Sequence, residues 1–131
     1  MLSKNSSILT AFNDHFVEFV NDIVNLFPED TDLLAVKNSF ALMRKANPRL
    51  LISIWNTYIV NPYKQVIESG DIRFFLNKDY GNDLIYIQNS EKIIEAINRL
   101  RHPVQLMSDE NKAKTMKYIQ NLSKLSGMYL E

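Results

Sequence analysis

Residues 47–63 read NPRLLISIWNTYIVNPY, an apolar run bracketed by two Asn-Pro pairs and holding the chain's single tryptophan, Trp55. Pro48 suits the first turn of a helix, where a missing N–H is no loss, and it steers Asn47 away from helical backbone, so the preceding helix stops there. Pro62 repeats the signal at the far end. Between the prolines, Leu50, Leu51, Ile54, Trp55, Tyr58 and Ile59 recur at spacings of three and four, the period of a helical stripe. Ile52 and Val60 lie off that stripe, so the helix needs cover on more than one side. A buried strand is the competing reading, because Ile, Trp, Tyr and Val favour extended structure. A dozen residues without glycine is long for a strand and the flanking segments carry helical periods, which decides for a central helix over about residues 48–60.

Working outward, residues 7–27 place Ile8, Leu9, Phe12, Phe16, Phe19, Val20, Ile23, Val24 and Phe27 on one apolar face, with Ser6 or Ser7 as N-cap. Pro28 ends that helix. Asp30 or Thr31 caps the next, which turns Leu33, Leu34, Val36, Phe40 and Met43 inward. The short turn makes these two helices antiparallel neighbours. Beyond Pro62, Gly70 closes one or two helical turns, Asp71 caps a short helix through Ile72, Phe74, Phe75 and Leu76, and residues 77–83 (NKDYGND) are the clearest loop. Residues 84–87 (LIYI) are read as a helical turn or connector, since a lone strand is unstable. Ser90 caps a helix carrying Ile93, Ile94, Ile97 and Leu100 and ended by His102-Pro103. Ser108, followed by Asp109 and Glu110, opens a terminal helix whose inward face is Thr115, Tyr118, Leu122, Leu125 and Tyr129, widened by Met116 and Ile119. The expectation is an all-α, single-domain bundle of five or six helices around the buried central one.

Composition narrows the function classes. The chain of 131 residues is long enough to build a core without metal or disulfide, and it has no cysteine for a thiol nucleophile or a Cys-based metal site. Its formal net charge is zero, which gives no overall pull toward nucleic acid or an anionic membrane. No run approaches the roughly 18 apolar residues of a membrane span, and the N-terminal residues make a poor signal peptide. We therefore expect a soluble, intracellular protein without cofactors. The charge is nevertheless unevenly spread: residues 1–34 carry one Lys against six acids, and residues 35–79 carry seven Lys or Arg against three acids. Solvated faces between oppositely charged helices account for this, as does association with a partner or a second copy.

Asp14, Glu18 and Asp22 stack along the first helix near His15, yet carboxylates on a single exposed helix make a poor metal cage, and no HExxH or EF-hand spacing is present. His102, with Arg99 and Arg101, reads as a helix-end cation. The three glycines, Gly70, Gly81 and Gly127, stand too far apart for a phosphate loop, a dinucleotide fingerprint or a nucleophile elbow. No catalytic or metal residues are assigned, and the chain is read as a non-enzyme. Nucleic-acid binding is the alternative, through Arg44, Lys45 and Arg49 at a helix junction and Lys112, Lys114, Lys117 and Lys124 on the terminal helix, although the lysines do not form one stripe and no recognition helix stands out. Protein–protein association is the leading class. Its candidate surface is the aromatic group Phe74, Phe75, Tyr80 and Tyr86, which burial would instead make part of the core.

The segments SFALMRKANPRLLISIWNTYIVNPY (39–63), DIRFFLNKDY (71–80), AINRLRHPV (96–104) and SDENKAKTMKYIQNLSKLSGMY (108–129) resemble small helical proteins of giant DNA viruses, especially those infecting algae. The resemblance carries no motif of assigned chemistry, so no site residues follow from it. It implies a viral accessory or virion-associated protein, resident in the host cytoplasm or the virion and acting on other proteins.

Overall fold

The computed structural model describes residues 4–77 and 90–129, with side chains over 5–77 and 95–129. The helices are α1 (Lys4–Leu26), α2 (Thr31–Ala46), α3 (Leu50–Trp55), α4 (Asn61–Ser69), α5 (Ile72–Asn77), α6 (Ser90–Gln105) and α7 (Asp109–Met128). A π-helical turn, Asn56–Val60, joins α3 to α4 without a break, which makes six helical bodies and no strand among the described residues. No described helix is long and apolar enough to cross a membrane.

The long first helix forms because its apolar residues keep the helical period. Ile8, Phe12, Phe16, Phe19, Val20, Ile23 and Val24 are all buried. It starts earlier than the serines suggest, so Ser6 and Ser7 lie inside it rather than capping it. Asp30 caps α2, its carboxylate accepting from the Asp32 and Leu33 amides at 3.0 and 3.3 Å. The pairings of Asp14 with Arg44 and of Phe16 with Phe40 across this turn match an antiparallel hairpin. Leu33, Val36 and Phe40 face inward, but Leu34 does not: at 43% exposure it is turned to solvent, because the stripe of its neighbours already claims the core side.

The central helix departs from expectation at its C-terminal end. Asn47 leaves helical backbone (φ −150°, ψ 93°) as a residue before proline should. Asn61 does not, holding φ −59° and ψ −48°, and the helix runs through Pro62. Proline has no N–H and crowds the carbonyl four residues back. The chain answers by widening one turn, so that the Asn61 N–H reaches the Asn56 carbonyl five residues earlier. Tyr63 takes up the remaining kink with φ −125° and ψ 27°. Gly70 then ends α4 at φ 76°, a conformation that favours glycine.

Pro103 likewise fails to stop α6, which continues to Gln105 with Pro103 fully buried in its last turn. Ser108 caps α7 by accepting from the Asn111 amide at 3.2 Å. Thr115, Met116, Ile119, Leu122 and Ser123 form its buried face. The core has two lobes. Phe12, Ile23, Leu33, Ile52, Leu100 and Leu122 belong to the larger, and Ile54, Ile67, Phe75, Met116 and Ile119 to the smaller; half-buried Trp55, Met43 and Ile72 pack against both. Side chains from distant helices satisfy exposed backbone ends: Asn13 Nδ2 donates to the Pro48 carbonyl (2.9 Å), Gln120 Nε2 to Ile67 (2.9 Å), and Arg101 and Gln105 to Leu76 (3.2 and 3.3 Å). Asn77, the first residue of the loop expected over 77–83, is the last residue of α5; the rest of that stretch, the segment 84–87 and the side chains of Ser90, Ile93 and Ile94 lie outside the described residues.

Candidate interaction surfaces

The aromatic group expected on the surface divides. Phe75 is 6% exposed and lies in the smaller core lobe, which removes it from any surface. Phe74 is half-buried, with ring centroids 4.9 Å from Tyr63 and 5.2 Å from Phe75. The physical reason is helical phase: Phe75 falls on the side of α5 that meets the smaller lobe, and Phe74, about 100° around the helix, packs at the edge of that lobe beside Tyr63. Tyr80 and Tyr86 lie outside the described residues.

The basic residues are dispersed. Arg44 forms an ion pair with Asp14 at 2.8 Å. Lys45 and Arg49 are exposed at the end of α2 and the start of α3. Lys114 and Lys117 line a groove between α1 and α7, where Glu18 and Asp22 face them, while Lys124 lines a separate groove beside α4 with Lys64 and Glu68. Lys112 is half-buried. Carboxylates therefore stand among the α7 lysines wherever these border a concavity.

That α1/α7 groove, about 560 Å³, is the larger of the two. Tyr118 lies at its centre, its ring 4.9 Å from His15 and 5.1 Å from Phe19. The phenol donates to Asp22 and lies 3.5 Å from Glu18 Oε1. Burial, then the hydrogen bond to Asp22, then the charges of Asp22 and Glu18 hold the phenol protonated well above its ordinary range. His15 Nδ1 is 3.4 Å from Glu18 Oε2. Thus Asp14 pairs with Arg44 while Glu18 and Asp22 both face the Tyr118 phenol, and no group of three potential metal-ligating side chains occurs among the described residues. The groove binds α7 to α1.

The outward face of α2 carries little charge along its middle turns. Thr31, Ala35, Asn38, Leu42 and Lys45 follow one another at spacings of four and three and are all exposed. Leu42, the fourth residue of this line, is 68% exposed, and Leu34 (43%) flanks the line. Between Asp32 and Lys45, the exposed positions Leu34, Ala35, Asn38, Ser39, Ala41 and Leu42 are uncharged, and Lys37 stands to the side nearer Arg44. The exposed side of α7, by contrast, carries Asp109, Glu110, Lys114, Lys117 and Lys124. Sequence reading misses the α2 face because it assigns Leu34 to the core; the signal is Leu42, which falls two residues from Phe40 and so opposite the buried stripe.

No protein-family model, curated protein or solved structure matches the chain.

Proposed function

We propose that this is a non-catalytic protein that works by associating with protein, and that the exposed face of α2 is its contact surface. The observation that carries the reading is the uncharged line through Ala35, Asn38 and Leu42, with Leu42 and Leu34 both left to solvent. Single exposed leucines are ordinary, but interface centres are distinguished by the loss of charged residues over a contiguous patch. The ion pair between Arg44 and Asp14 supports the same choice, since it withdraws one cation from the basic junction that nucleic-acid binding needs. The resemblance of four segments to small proteins of giant DNA viruses fits an accessory or virion-associated assembly role.

Sedimentation velocity of the purified protein, with and without a short DNA duplex, tests the reading. A species heavier than the monomer that ignores the duplex supports it. A monomer that co-sediments with the duplex and lets go as salt rises overturns it in favour of nucleic-acid binding.

A further inference from the structure

We infer that the occupant of the α2 face is a second copy of this chain, docked antiparallel about a two-fold axis near Asn38 and Ser39. This rests on the association reading above and names its partner. Charge sign sets the orientation of the pair. The acidic residues Glu29, Asp30 and Asp32 gather at the start of α2, Lys45 lies in its last turn and Arg49 follows its far end. Asp32 and Lys45 are exposed and neither forms an ion pair among the described residues. A parallel pair of α2 helices sets acid against acid and base against base. An antiparallel pair sets the acidic start of each helix beside the basic end of the other, twice, because a two-fold interface repeats every contact.

Shape agrees with sign. In that register Leu42 stands opposite the partner's Ala35, and Ala35 opposite the partner's Leu42, so each large side chain meets a small one on the facing helix. At the axis Asn38 stands opposite the partner's Ser39, two uncharged polar side chains able to hydrogen-bond to each other. The antiparallel order also places opposite ends of the helix dipoles together.

The test uses sedimentation velocity on the wild type, Leu42→Lys and Lys45→Glu, together with dipolar spectroscopy on a nitroxide at Ala46→Cys in the otherwise cysteine-free chain. The inference expects a dimer whose dissociation constant rises at least about tenfold in Leu42→Lys and several-fold in Lys45→Glu. It expects the two labels to be roughly 22 Å apart along the helix axis, from 15 residues of 1.5 Å rise, whereas a parallel pair brings them to about 10 Å. Leu42 is mostly solvent-exposed, so its replacement leaves the circular dichroism spectrum unchanged. A dimer indifferent to Leu42→Lys, or labels at the short distance, overturns this inference while leaving association standing. A wild type that stays monomeric overturns the second copy as partner and removes self-assembly from the broader reading as well.

Discussion

Trp55 donates its indole N–H to the hydroxyl of Ser123 at 2.9 Å, across 68 residues of chain. Ser123 is 7% exposed and donates in turn to the Ile119 carbonyl at 2.7 Å, so one small hydroxyl joins the central helix to the last one. The two chemistries complement each other: an indole N–H can only donate, and a hydroxyl already donating along its own helix still accepts.

The first prediction is that Ser123→Ala, which strands the indole N–H, costs about 1–3 kcal/mol in urea unfolding. Trp55→Ala costs about 3 kcal/mol, the lower end for a large aromatic because this one is half-buried. The double variant should fall short of the sum by about 1 kcal/mol; strict additivity would show that the two side chains do not act as a unit.

Tyr118 supplies a prediction about alkali. Its phenol is held protonated beside Asp22 and Glu18, with its pKa raised above the ordinary 10.0. As pH climbs past that value, the unfolded chain releases a proton that the folded chain keeps, so folding stability falls. The stability advantage of the wild type over Tyr118→Phe is therefore constant below about pH 10 and shrinks above it. Chemical denaturation of both proteins at a series of alkaline pH values reads this out. An advantage that grows with pH would reverse the sign of the argument.

Asn13 is 3% exposed, and its amide holds the Pro48 carbonyl at the α2–α3 junction. Replacing it with Ala removes the bond that ties α1 to this junction and should lower stability by about 1 kcal/mol. Asn13→Asp should be worse than Asn13→Ala at neutral pH, because it sets a carboxylate against a carbonyl oxygen. Equal thermal midpoints for the two variants would sink this account.

Two glycines should respond to alanine with opposite signs. At Gly70 a Cβ would meet Gln120 Nε2 at an ordinary 3.6 Å, so the penalty is conformational, about 1–2 kcal/mol for a left-handed residue. At Gly127, inside α7, an added Cβ meets nothing within 4 Å. There alanine should stabilise, by up to about 1 kcal/mol. Thermal melts of the two variants read out the opposite signs.

Helix type and most of the core were legible because they depend on local repetition. Phe12, Val36, Phe40, Ile119 and Leu122 could be assigned from period alone, the caps at Asp71 and Ser108 from residue type and position, and Asp30 as one of two candidates with Thr31. What the pattern conceals is competition between elements. Leu34 has the right chemistry for the core and lost its place to Leu33 and Val36. Pro62 and Pro103 carry strong local stop signals, yet packing on both sides of each outweighs them. The partnerships of Asn13 with Pro48 and Trp55 with Ser123 depend on how helices meet, for which spacing along one helix holds no information. The α2 face was hidden for the same reason: exposed leucines become visible only once the buried side is known.

The widened turn at Asn56–Val60 gives the central helix a different kind of dependence from the rest of the molecule. It accommodates one residue more than an uninterrupted α-helix would use, so everything after it is phased by a count of residues. Ile67 reaches the smaller core lobe on that count. Exchanging side chains within the turn leaves the phase alone. Removing a single residue there would swing α4 by about 100° and carry Ile67 off the core. The orientation of α4 is thus a matter of length rather than composition, and an insertion or deletion reaches it where a substitution does not.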